Sequence, residues 1–239
     1  MKSDCNITGI TNTLFSDNDL ENNLELLGKL HNDCMTDYFN SVTQQSLQLN
    51  DQPNFDNHLR TTLQNFFENK GVILNEGNIY PCVNSAQPLW GNSDYQTNLS
   101  SDAQQIISNV VDLFNDESVD YYDLIQELNS LKSQAYSLNN DTEKTIVLSM
   151  IVVGINSTEY WYTHAEDWRN YFGNSGGLST LSSKSSVLKK VGLSDAIGAV
   201  RGGIGGVALG GPAGIFAGAL VGAGVNSCVR AIVYGATGY

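Results

Sequence analysis

The sequence predicts an all-α protein: an acidic five-helix domain followed by a C-terminal glycine-zipper helical hairpin. Three observations predict it. Apolar residues recur at helical spacing through residues 1–172. Glycine recurs at every fourth position through GAVRGGIGGVALGGPAGIFAGALVG, residues 198–222. Between the two lies GNSGGLSTLSSKSS, a Gly/Ser-rich stretch with the composition of a flexible linker. The resulting division is an acidic helical domain over 1–172, a linker over 173–186 and a cationic hairpin over 187–239.

The first helix is expected from Asp19 to about Leu49, with Leu20, Leu24, Leu27, Leu30, Cys34, Tyr38, Val42 and Leu49 on its apolar stripe. The second carries Phe55, Leu59, Leu63 and Phe66, and Gly71 ends it. After it, Val72–Leu74 reads as a short strand. Residues 71–98 then have loop composition, with Pro81, Pro88 and Trp90. Ser101 and Gln104 stand three apart as a capping box for a third helix, which continues through Ile106, Ile107, Val110, Val111 and Phe114. Tyr121, Leu124, Leu128, Leu131, Ala135 and Leu138 mark the fourth. The fifth opens at NDTEK, with acids where the helix dipole favours them, and runs to about Phe172. Its apolar run TIVLSMIVVGI is 11 residues, against the roughly 20 a membrane span needs, so it reads as the central buried helix.

Charge separates the parts. Residues 1–183 hold 7 Lys and Arg against 24 Asp and Glu, a net of −17, while residues 184–239 hold five basic residues against Asp195 alone, a net of +4. The overall −13 argues against nucleic acid as a partner, because phosphate contacts need clustered Lys and Arg. Cys5, Cys34, Cys82 and Cys228 lie far apart with no CxxC pair, so neither a zinc knuckle nor a redox motif is expected. A Cys34–Cys82 bond fits an oxidising compartment, but spacing alone does not select it. The start, MKSDCNITGITN, lacks the apolar core of a signal peptide, which leaves a cytoplasmic chain or a mature exported form lacking its signal.

The glycine series carries most of the functional information. In a helix, positions i and i+4 lie nearly in line, so Gly198, Gly202, Gly206, Gly210, Gly214, Gly218 and Gly222 form a face without side chains. Each glycine costs roughly 1 kcal/mol relative to alanine, so seven cost on the order of 7 kcal/mol unless close packing returns it. Such a helix needs a partner. Pro212, suited to a first helical turn, divides the stretch into two helices at about 194–209 and 212–234, with Gly211 and Pro212 at the turn. The alternative is one long helix kinked at Pro212. Three fates are open to the tail: insertion into a membrane, burial as a soluble packed hairpin, or ordering only within an oligomer. Lys184, Lys189 and Lys190 flank it and suit anionic lipid headgroups.

Candidate chemistry is sparse. His31 and Cys34 share a helix face, but nucleophilic catalysis needs an oriented thiolate and a third group, and a buried stripe is the simpler reading. Glu159, His164 and Glu166 suggest acid–base work. Yet Trp161, Ala165, Trp168 and Phe172 on the same helix read as core or as a docking face for the tail. No catalytic residue, metal site or cofactor is expected, nor an enzyme.

Two resemblances follow from these residues. LLGKLHNDCMTDYF, EYWYTHAEDW and the glycine-rich end together resemble a group of uncharacterised bacterial proteins made as exported or lipid-anchored precursors. In these a G-x-x-H-N stretch, here Gly28 to Asn32, opens an all-helical region. The tail alone is similar to the glycine zippers of class II bacteriocins. These resemblances imply an envelope or secreted location, with membrane lipid, self-association through the glycine face and an immunity or carrier protein as partners. The expected function is membrane association or permeabilisation, bacteriocin- or toxin-like. The alternative is a soluble envelope or interaction protein whose hairpin is a permanent packed element.

Overall fold

A computed structural model describes residues 10–46, 52–74, 99–173 and 184–237. Among the described residues the fold is mostly helical, with seven helices and one two-stranded sheet. In chain order these are β1 (Ile10–Asn12), α1 (Leu20–Gln44), α2 (Gln52–Asn69), β2 (Val72–Leu74), α3 (Ser101–Asn115), α4 (Tyr121–Ala135), α5 (Asp141–Gly173), α6 (Lys184–Val207) and α7 (Gly211–Thr237).

Local chemistry explains where the helices start and stop. The Asp19 side chain caps α1 by accepting from the Asn22 amide. Helix α2 closes where Gly71 takes φ +83°, a left-handed conformation that glycine adopts without strain. The chain then enters β2, which pairs antiparallel with β1, Ile10 opposite Leu74. The cap of α3 is Ser100, one residue before the expected Ser101, because the Ser100 hydroxyl accepts from the Ala103 amide. Glu143 of α5 receives both the Ser100 amide (2.8 Å) and its hydroxyl (2.5 Å), tying the starts of α3 and α5 together.

Helix α5 is the axis of the fold. Ile146, Val147, Leu148, Met150, Ile151, Val152 and Val153 are all buried, so its first half is covered on every side. Its second half buries Trp161, Ala165, Trp168 and Phe172. Trp168 meets Phe39 and Tyr38 of α1 at ring-centroid separations of 4.9 and 6.2 Å. Helices α6 and α7 pack most extensively on each other, then on α5, and α1 crosses both α5 and α7. Residues of α1, α5, α6 and α7 belong to one continuous hydrophobic cluster.

Helix α6 begins ten residues earlier than expected, taking in Lys184–Ser186, which composition assigns to the linker. Residues 174–183, the rest of the expected linker, lie outside the described residues, as do Pro81, Pro88, Trp90 and most of the long loop. Helix α1 stops at Gln44 rather than near Leu49.

Candidate functional site

The glycine series is where two backbones meet. Gly198 lies against Gly222, Gly202 against Gly218, and Gly206 against Gly214, one helix contributing each member of a pair. A Cβ added to Gly198 would sit 2.5 Å from the Gly222 carbonyl oxygen, and one on Gly214 would sit 2.6 Å from that of Gly206. Added carbons on Gly202, Gly218, Gly206 and Gly222 would likewise run into the carbonyl of the facing glycine. The glycine face of α6 is therefore covered by the glycine face of α7 within the same chain.

The turn between them occupies Ala208–Gly210. Gly210 and Gly211 take φ +94° and +62°, so both use the left-handed freedom of glycine. A Cβ on Gly210 would meet nothing, so this member of the series serves the turn and not the zipper. Gly211 opens α7 and Pro212 occupies its first turn, where the missing amide is harmless. Asp17, from the loop after β1, accepts from the Ala213 amide at 3.0 Å and places a negative charge at the helix N-terminus.

Three residues before Gly198, just under one turn, α6 carries Asp195, fully buried. Its Oδ2 accepts from the Ser157 hydroxyl of α5 at 2.6 Å and from the Ser227 hydroxyl of α7 at 2.7 Å. His31 Nε2 of α1 lies 3.3 Å from the same oxygen, off the hydrogen-bond axis. The other ring nitrogen, Nδ1, is 3.0 Å from Asn32 Oδ1. Asp195 Oδ1 is buried with no hydrogen-bond partner among the described residues. Four helices thus meet on one carboxylate. The G-x-x-H-N stretch acquires a structural meaning here. A Cβ on Gly28 would overlap the Asn156 side chain of α5, His31 reaches Asp195, and Asn32 holds the imidazole.

Serine, histidine and aspartate in contact invite comparison with a hydrolase triad. In that chemistry the imidazole takes the serine proton. Here both hydroxyls donate to the carboxylate, and His31, Asp195, Ser157 and Ser227 are all 0% exposed. The arrangement orients groups and joins four helices through buried polar side chains, but it presents no nucleophile to solvent.

The remaining candidates sit apart. His164 stacks on Tyr160 at 4.4 Å, with Nδ1 3.0 Å from the Tyr160 carbonyl oxygen. Glu166 pairs with Arg169 at 3.4 Å. Glu159 lies on the side of Tyr121, and burial raises its carboxyl above the ordinary value. The structure does not bring the three together. Trp161 and Trp168 are fully buried, with the Trp168 indole donating to the Tyr160 hydroxyl at 3.2 Å. Burial pushes that Tyr160 hydroxyl up to about 12.

Of the basic residues flanking the hairpin, Lys189 is buried and donates to the Asp116 carbonyl at 2.6 Å. Lys190 is exposed, and the Lys184 side chain lies outside what is described. A cavity of about 360 Å³ lies elsewhere, between Glu21, Glu25, Asn129, Lys132 and Asn156.

Compared with protein-family models, curated proteins and solved structures, the chain matches none.

Proposed function

We propose that the chain is a non-catalytic helical interaction protein in which the glycine hairpin is a permanent packed element. One observation carries this reading: the glycine faces and most of the apolar surface that would suit the tail to a bilayer are already covered inside the protein. The glycine faces cover each other. Of the 22-residue apolar stretch Gly211–Ile232, 78% is buried. Lys189 is bound to a backbone carbonyl, and Asp195 holds four helices together. Withdrawing the hairpin would strip α5 of its cover and part the buried carboxylate from its partners, which is strongly destabilising. The acidic excess of residues 1–183 suits a basic partner and disfavours nucleic acid. The resemblance to exported bacterial proteins supports a place in the cell envelope or outside the cell.

A second reading is favoured by one specific feature. Gly211–Ile232 has a mean hydropathy of 1.5 and is long enough to cross a bilayer. Its glycine-to-glycine seam with α6 is also complete without the other helices. Under that reading the hairpin moves as a preformed unit into lipid, and the acidic helices are its soluble carrier, as in a bacteriocin- or toxin-like permeabilising protein.

Flotation and dye leakage with the full chain separate the two, using vesicles of neutral and of anionic lipid. The packed-element reading expects neither binding nor leakage. Leakage that disappears on truncation at Ser186, with the truncated chain still folded by circular dichroism, refutes it and establishes the second.

A further inference from the structure

Two cysteines far apart in sequence meet in the core. Cys34 of α1 and Cys228 of α7 are 1% and 0% exposed, and both are free thiols. Cys34 Sγ lies against α7 at Gly224, where an added Cβ would be 3.2 Å from the sulfur. Gly224 is one helical turn before Cys228, on the same face. From the other side, the Cys228 thiol reaches back to Met35, the residue after Cys34, with Sγ 3.7 Å from Sδ. Each thiol thus lies against the helix that carries the other, at a single contact between α1 and α7. Packing here is close because Gly224 has no side chain, which lets α1 settle onto the α7 backbone.

We propose that Cys34 and Cys228 are a disulfide site that fastens α1 to the glycine hairpin. The inference is independent of which reading of the hairpin holds, since it concerns only the helix–helix contact. The chemistry is exchange with a small-molecule disulfide such as oxidised glutathione. One protein thiolate attacks it, forming a mixed disulfide and releasing one glutathione thiolate. The second protein thiolate then displaces the other glutathione and closes the Cys34–Cys228 bond. Two protein thiols lose two electrons and two protons, and one glutathione disulfide becomes two thiols.

Burial, and next the adjoining Cys34 thiol, hold the Cys228 thiol well above its ordinary value, so in the folded chain it is a poor nucleophile. Exchange therefore proceeds while the hairpin is off α1, during folding or on transient opening. The same burial shields the finished bond from reductants. The loop it closes spans almost the whole described chain, which favours a large restriction of the unfolded state.

The test uses the full chain, both unaltered and with Cys5→Ser and Cys82→Ser, since those two cysteines lie outside the described residues. Each is equilibrated with oxidised and reduced glutathione in partly denaturing urea, diluted, and capped with maleimide. Disulfides are then mapped by mass spectrometry. The expected result is a Cys34–Cys228 linkage as the main product of both chains. Its melting temperature should lie on the order of 10 °C above that of the reduced form. Reduction should be slow without denaturant and fast with it. The mapping reads linkage whether or not every molecule refolds. Maleimide or glutathione on both cysteines, Cys34 linked to Cys82 or Cys5 in the unaltered chain, or a linked form that melts lower, each overturns the proposal.

Discussion

Adding one methyl group at Gly202 tests the zipper directly, because two effects of opposite sign compete there. In an ordinary helix interior Gly→Ala stabilises by about 1 kcal/mol. At Gly202 the new carbon would fall on the Gly218 carbonyl group, 2.7 Å from its carbon, and 3.2 Å from the Gly222 Cα. All three neighbours are backbone, so the helices must separate, at about 3 kcal/mol, the upper end of overpacking costs. The net expectation is a loss of about 2 kcal/mol, or about 4–8 °C in melting temperature for a chain of this size. Gly203 supplies the internal control. It is the next residue, equally buried in α6, but a Cβ there would meet Ile215 Cγ2 at 3.3 Å and Ile146 Cγ1 at 3.7 Å, both side-chain atoms. Gly203→Ala should therefore leave melting unchanged or raise it by up to about 3 °C. Thermal unfolding followed by far-ultraviolet circular dichroism measures both variants. If Gly202→Ala melts at or above the wild-type temperature, or alongside Gly203→Ala, the close approach does not constrain the fold and the argument built on it fails.

Two further expectations address the polar interior. Asp195→Ala strands His31 and the hydroxyls of Ser157 and Ser227 in the core, and urea denaturation should show a loss of about 3–5 kcal/mol. Asp195→Asn keeps an acceptor for the hydroxyls and should lose less, and equal losses would argue against the hydrogen bonds as the cause. Tyr160 bears on the alkaline limit. Its hydroxyl rises to about 12 in the folded chain, against an ordinary 10, so the folded state holds this proton more tightly than the unfolded state does. The stability linked to it is complete below pH 10 and is lost as pH rises through about 12, amounting to roughly 2–3 kcal/mol. Tyr160→Phe should flatten the stability profile over that interval, and an unchanged profile would remove the assignment.

Features that repeat along the chain could be read from the sequence. The stripes of α1, α3, α4 and α5, the two arms of the hairpin and the strand at Val72–Leu74 all follow from local periodicity and turn chemistry. Strand β1 could not be found this way, because Ile10–Asn12 lacks the apolar run of Val72–Leu74 and becomes a strand only beside β2. The start of α6 was hidden by composition. Lysine and serine before Val187 look like linker, although Val187, Leu188 and Val191 already keep helical spacing and are buried. For the glycines the sequence specifies a bare face but not what covers it, since an intramolecular seam and an oligomer seam use the same pattern. The carboxylate cluster joins residues 31, 157, 195 and 227 from four helices, and no spacing rule connects them. One signal did point to it: Asp195 is the lone acid of residues 184–239, set in an apolar helix, where an unpaired charge would be costly.

The central position of α6 and α7 has a consequence for biosynthesis. Residues 10–173 leave the ribosome before the segment that covers them exists, so the apolar surface of α5 around Ile146–Val153 emerges without its partner. No stepwise, N-terminus-first assembly can complete this core. The contacts that α6 and α7 make with each other, with α5 and with α1 form only once residues 184–237 have been made. Until then the nascent chain exposes apolar surface of the kind that makes incomplete folds prone to aggregation. The last two helices to be made are thus the ones that close the core, although they stand at its centre.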